Sequence, residues 1–234
     1  FDGCVQLTVL LDLLSAYGDC GAEESPWQCG DPLEYQGYNY ETVQIGEQCW
    51  FAENARYLPE VSPADIGSVS EAHGYVYDYE GTSVTEAMAT SSFQEYGAVY
   101  NFTAIQVWEI CPVGWSVPTD SQWQELEGIL GMDSEELNET DWRGTDEGWK
   151  LMSEDWPSPA QPNNSLGFSA KPSGGRAVEG FFGGQGQLEH WWTSTEDAED
   201  ASWYRYIDKN HGGITRFTYT HSVGLSARCI KDAE

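Results

Sequence analysis

Residues able to do chemistry crowd into the last third of this 234-residue chain. Trp191-Trp-Thr-Ser-Thr195, Trp203-Tyr-Arg-Tyr-Ile207 and Thr215-Arg-Phe-Thr-Tyr-Thr-His221 interleave aromatic rings with arginine. Flat aromatic faces stack on sugar rings or anchor a protein partner, and a guanidinium offers forked donors to carboxylate or sulfate. Side chains of a strand alternate between its faces. Trp203, Arg205 and Ile207 therefore share one side and Tyr204 and Tyr206 the other, while Phe217, Tyr219 and His221 lie opposite Arg216. The candidate ligand-binding set is Phe181, Phe182, His190, Trp192, Tyr206, Arg216, Tyr219 and His221. Trp191, Trp203 and Tyr204 read as core packing; for Phe181, Phe182, His190, Tyr219 and His221, near hairpin tips, core and surface are equally open.

Carboxylates are the other reactive group in supply. Glu196, Asp197 and Asp200 lie within five residues and offer the hard oxygen ligands that calcium takes, so Ca2+ is the one ion expected, with no cofactor required. Thirty-nine acidic residues stand against ten basic ones, a formal net charge of -29. Such a field repels nucleic acid and anionic membrane surfaces, and it suits a salty habitat that screens it. No Ser-His-Asp order with motif support is present, His73, His190, His211 and His221 are dispersed, and no glycosidase-like carboxylate pair can be located among so many. No catalytic residue is assigned.

Cys4, Cys20, Cys29, Cys49, Cys111 and Cys229 form no Cys-x-x-Cys pair and have no histidine near enough to complete a zinc ligand set. Disulfides, and hence an oxidising extracellular setting, are expected. Fifteen connectivities are open; neighbourhood favours Cys4 with Cys20, Cys29 with Cys49, and Cys111 with Cys229. The third would close a loop long enough to stabilise the fold by about 4–5 kcal/mol in the chain-entropy model.

Several elements must position these groups. Leu10, Leu11, Leu13, Leu14 and Tyr17 have helical spacing before Gly18, and a linker follows, dividing the chain into residues 1–28 and a main domain of 29–234. No run approaches the ~20 apolar residues of a membrane span, so no membrane insertion is expected. The start at Phe1 suggests a piece of a longer secreted polypeptide. A hairpin turning at Gly46-Glu47 is expected between Tyr35 and Asn54, then a polar surface excursion over 55–82. Ser83 and Glu86 spell a capping box for a short helix through Met88, and Tyr96 to Val107 carries a second apolar-periodic stretch. Thr119 and Gln122 cap the clearest helix, with Trp123, Leu126, Ile129 and Leu130 on one face. Short strands follow Gly167, including a turn at 210–213 between Trp203–Ile207 and Ile214–Tyr219. Helices early and a meander of strands late make an α+β fold.

The ordered segments Tyr38 to Asn54, Tyr96-Gly-Ala-Val-Tyr-Asn101, Cys111-Pro-Val-Gly-Trp-Ser-Val-Pro-Thr119, Gly167-Phe-Ser-Ala170, Gly174-Gly-Arg176, Trp191 to Thr195 and Ala227-Arg-Cys229 resemble the Fibrobacter succinogenes major paralogous domain. The resemblance spans residues 29–232 and implies a C-type lectin-like fold. In that fold two main helices flank small twisted antiparallel sheets, the chain ends meet, and long loops with late hairpins form the recognition face. It implies a non-catalytic recognition or adhesion domain of a secreted bacterial surface protein, in Bacteroidetes-like organisms, that binds glycan or a cell-surface protein. A structural module of a surface fibre, with self-association, is the alternative; an oxidative enzyme of the formylglycine-generating kind is a third, although only Cys229 lies late enough for its thiol chemistry. Gln161-Pro-Asn163 nearly matches a calcium-and-sugar triplet of the lectins, but the second triplet is missing and the match reads as chance. The segment from Asp2 to Gly18 resembles half of a dockerin repeat without its calcium loop.

Overall fold

Polar and apolar residues alternate from Thr42 to Ile45, the Gln48–Phe51 segment is buried throughout, and Gly46 supplies the positive φ of +60° that a tight reversal needs. The result is the expected hairpin of β3 (Thr42–Ile45) and β4 (Gln48–Phe51). The computed structural model describes residues 27–232, so Cys4, Cys20, the helix expected over 8–17 and the dockerin-like segment lie outside it. β1 (Leu33–Tyr35) and β2 (Tyr38–Tyr40) form a small separate hairpin ahead of β3.

Two sheets carry the rest. In the smaller, β3 and β4 continue through β15 (Ile230–Lys231) to β7 (Trp115–Ser116), so a strand near the start of the domain pairs with its last strand. Cys29–Cys49 and Cys111–Cys229 are bonded, with Cα atoms 5.8 and 5.7 Å apart, as neighbourhood suggested. The larger sheet runs β5 (Gly74–Tyr75), β6 (Val99–Tyr100), β14 (Leu225–Ser226), β11 (Leu188–Ala198), β12 (Ala201–Asp208), β13 (Ile214–Thr220), β8 (Asp141–Arg143). Only the contact between β11 and β14 is parallel. A glycine-rich hairpin of β9 (Gly175–Arg176) and β10 (Phe182–Gly183) stands beside it.

Five short helices are described: α1 (Val84–Met88), α2 (Ser91–Tyr96), α3 (Phe102–Val107), α4 (Asp120–Leu130) and α5 (Glu147–Leu151). The architecture is α+β and mostly strand, and α4 is the one helix of eleven residues where two main helices were expected. Thr119 and Gln122 close the full capping box of α4, and Gly131 ends it at φ +107°. Trp123, Leu126 and Leu130 are buried, but Ile129 is 41% exposed. It lies a 100° step from Leu130, off the buried stripe, and instead covers the Gly46 turn.

Two sequence expectations need correction. Residues 55–82 are no surface excursion, because Ala55, Leu58, Val61, Tyr75 and Val76 are buried and β5 forms an edge of the large sheet. Their apolar residues pack singly and leave no period to read. The stretch from Tyr96 to Val107 is split: Gly97 at φ +81° ends α2, β6 intervenes, and the Asn101 side chain accepts from Ala104 N to start α3. Asn101 is fully buried.

Trp191 and Trp192 point to opposite sides of β11 and each anchors one hydrophobic core. Trp191 meets Trp123 and Phe168 beneath α4, whereas Trp192 packs on Phe102 of α3 and donates its indole N–H to Tyr100 O.

Candidate functional site

Alternation along β11, β12, β13 and β8 gives the large sheet two unlike faces. On the α4 side, Glu127 and Asp120 of the helix meet three arginines from three strands. Arg143 grips Glu127 with two bonds of 2.7 and 2.9 Å, and Arg205 bridges Glu127 at 2.6 Å to Asp120 at 2.7 Å. Arg216 takes Asp120 through Nε and Nη2 at 2.9 and 2.8 Å and lies 3.7 Å over the Trp203 ring. Glu127 and Arg205 are wholly buried. Burial pushes the Asp120 carboxyl upward, but the bonds from Arg216 and Arg205 outweigh it and hold the group below its usual range. The network is net positive by one, three guanidiniums against two carboxylates, and it is buried; its chemistry is structural.

The opposite face is aromatic. Cross-strand register places His190, Tyr206, Thr215 and Trp142 in one row over β11, β12, β13 and β8, with Trp192, Tyr204 and Phe217 in the next. Trp142 is 39% and Phe217 44% exposed, and Tyr204, Tyr206, Tyr219 and His190 are partly exposed. The exposed His211 stacks on Trp142 at 4.2 Å, and Asp208 ties it to Tyr206, accepting from His211 Nδ1 at 2.9 Å and from the Tyr206 hydroxyl at 3.1 Å. Burial and Asp208 together raise the Tyr206 phenol, which therefore stays protonated and donates. Tyr204 packs edge-on to Tyr219 at 5.5 Å. At the far end a pocket of about 130 Å3 opens between His190, Tyr219 and Leu225 and the β9–β10 hairpin. Gly175 lets that hairpin close on His190, since a Cβ there would sit 2.3 Å from the imidazole. His190 Nδ1 and Thr215 Oγ1, on either side of Tyr206, are buried without a protein partner. Burial pushes His190 down to about 4, so it is neutral at physiological pH.

Of the residues expected to bind ligand, His190, Tyr206 and Tyr219 come together on this face. Phe182 belongs to the neighbouring hairpin and packs on Tyr77, while Phe181 beside it is 55% exposed. Three are corrected to core. Trp192 is fully buried, Arg216 is held by Asp120, and His221 stacks on Phe102 at 4.3 Å with its Nε2 on the Ser202 hydroxyl. The metal assignment is also corrected: among the described residues no group of three His, Cys, Asp or Glu side chains is placed to hold an ion. Glu196 and Asp197 are exposed near the end of β11 and Asp200 is in the turn to β12, and Glu196 accepts from the Gln106 amide. Sequence reasoning missed Trp142, His211 and Phe217 as surface groups. β8 has only three residues, too few to show alternation, and His211 reaches the face through the Asp208 turn rather than along a strand.

The family model described as Fibrobacter succinogenes major domain matches residues 43–231. No curated protein and no solved structure matches the chain.

Proposed function

The chain belongs to the Fibrobacter succinogenes major domain family, and we propose that it acts as a non-catalytic extracellular recognition domain of C-type lectin-like fold. The aromatic face of its large sheet takes glycan or a cell-surface protein. The observation that carries this reading is Tyr206 and Trp142 with Phe217 beside them, rings at least partly open to solvent and outside both hydrophobic cores, while the largely buried His190 ends their row. Stacking against a sugar ring or a partner's apolar side chain uses the ring faces, and Tyr206, Asp208 and His211 supply directional polar groups around them. Such a face needs no bond-making group and no ion.

Pairing of β4 with β15 supports the lectin-like reading, since it brings early and late segments of the domain together. Two disulfides support an oxidising compartment, and no described helix is long and apolar enough to cross a membrane. A glycan array and a surface-protein pull-down, each run in high salt with and without calcium, test the reading with the double variant Trp142→Ala, Tyr206→Ala. The wild type binds and the variant loses at least about tenfold in affinity, as loss of central aromatic anchors does. Capture of nothing by the wild type, or undiminished capture by the variant, defeats it. One observation favours assembly as a second reading: β8 is an edge strand of the large sheet and carries the exposed Trp142, so a second copy could add there. Concentration-dependent polymers in size-exclusion chromatography, abolished by Trp142→Ala, would select it.

A further inference from the structure

Away from the aromatic face, three of the chain's ten basic residues converge on one cavity of about 180 Å3. Arg56, Lys171 and Arg228 line it together with Glu53 and Glu95, an excess of one positive charge inside a molecule that carries -29. Tyr38 and Tyr96 form part of its wall, and Asn54, Gln94 and Ser169 add amide and hydroxyl groups.

Arg228 is the unusual member. It is 1% exposed, yet no carboxylate bonds it in a chain with thirty-nine acidic residues. Its guanidinium donates to Phe168 O and to Asn54 Oδ1, lies 4.1 Å over the Phe168 ring, and leaves Nε with no partner. Arg143, Arg205 and Arg216 each have a carboxylate, and Arg56 has Glu53. Arg176 also relies on carbonyls, but its Nε is bonded to Ala64 O. Glu189, the buried carboxyl behind Asn54, bonds to Ser173 N and reaches Arg228 only through the Asn54 amide. Glu189 and Glu53 act on Arg228 only through space, with no carboxylate hydrogen bond, so a buried cation stands at the cavity wall.

Lys171 is the accessible member. It pairs with Glu95, and the two side chains are 36% and 51% exposed. Solvent screens such a pair, so it contributes little and Glu95 can swing out at small cost.

We propose that this cavity binds a sugar acid: a uronate whose carboxylate replaces Glu95 on Lys171, within the field of Arg56 and Arg228, and whose ring lies against the tyrosine wall. The hydroxyl-rich ring is what the amide, hydroxyl and tyrosine lining favours, since an amino-acid carboxylate would leave most of that lining without partners. The site is separate from the aromatic face, and its fate does not depend on what that face binds.

Isothermal titration of the full chain with D-galacturonate, galactose and N-acetyl-L-glutamate tests it, alongside the variants Lys171→Gln and Glu95→Gln at exposed side chains. Galacturonate binds, and galactose binds at least about tenfold more weakly because it lacks the charge. Lys171→Gln weakens galacturonate by about tenfold, while Glu95→Gln tightens it several-fold by removing the internal competitor. The opposite signs of the two variants are the signature. Equal binding of galactose, tighter binding of N-acetyl-L-glutamate, no heat with galacturonate at millimolar concentration, or indifference to both substitutions overturns the proposal.

Discussion

The two faces of the large sheet are built by the same strands and differ in almost every physical respect. Arg205 and Tyr206 are neighbours in β12, yet Arg205 is locked between two buried carboxylates and Tyr206 looks toward solvent beside Trp142. One side places three of the chain's six arginines where each is partnered; the other holds rings that remain partly uncovered. The difference teaches that the scaffold is specified on the inner face, leaving the outer face chemically open. Charge pairs enclosed under α4 fix the register of β8, β12 and β13 against the helix, and that register delivers the outer row as a by-product.

The strongest way to break this comparison is to remove the hub of the inner face. Glu127→Ala leaves Arg143 as a buried cation without a carboxylate and Arg205 with Asp120 alone, and should cost about 3–5 kcal/mol of stability. Urea or thermal denaturation measures it. A loss under about 1 kcal/mol would mean that the network is not what holds the sheet to the helix.

Next in size is a pH effect in which the faces oppose each other. Glu189 and His190 are consecutive in β11 and point to opposite sides. Burial pushes Glu189 up from 4.5 to about 7, against hydrogen bonds from Ser173 and Ser226. Its raised value means that the folded state holds a proton the unfolded chain has released. Its contribution is thus full below pH 4.5 and falls away as pH rises to about 7. His190 does the reverse. Burial depresses it from 6.5 to about 4, so stability on its account grows as pH rises through that interval. Between pH 4.5 and 6.5 the two slopes nearly cancel in the wild type. Substituting one unmasks the other: His190→Gln should lose about 3 kcal/mol on going from pH 4.5 to 7, and Glu189→Gln should gain about as much from pH 4 to 6.5. Denaturation midpoints across that range give the check, and parallel profiles for both variants would refute the opposition.

Sequence carried the scaffold further than the site. The hairpin at Gly46, the capping box at Thr119 and the Cys29–Cys49 disulfide were legible because each depends on local chemistry, whereas Cys111–Cys229 spans 118 residues and was matched only by taking the cysteines in chain order. Period-two alternation correctly separated Tyr204 and Tyr206 from Arg205. It did not say which face α3 and α4 would cover, and that decided the fate of Trp192, His221 and Arg216. The pairing of Asp120 and Glu127 with Arg143, Arg205 and Arg216 joins positions up to 96 residues apart, and no local signal marks it. The carboxylates at 196–200 looked like ion ligands by proximity alone, but they are exposed at the end of a hairpin and, among the described residues, no three His, Cys, Asp or Glu side chains are grouped to hold an ion.

The smallest stability change is expected on the outer face, and it sharpens the comparison most. Trp142 gives its ring to His211 at 4.2 Å and to Tyr206 at 5.3 Å, contacts that contribute about 0.5–1.5 kcal/mol beyond burial. Phe217 is 44% exposed, so Phe217→Ser should move stability by about 0.5 kcal/mol or less. If the outer rings are there to meet a ligand, the two single variants should keep the fold within about 1.5 kcal/mol of the wild type. Each should nevertheless reduce capture in the glycan or pull-down assay, since central aromatic anchors dominate such contacts. Stability and binding would then separate on one face and coincide on the other, where Glu127→Ala destroys both. Should Trp142→Ala instead cost as much stability as Glu127→Ala, the outer rings would be a third core, and recognition would have to be sought elsewhere on the molecule.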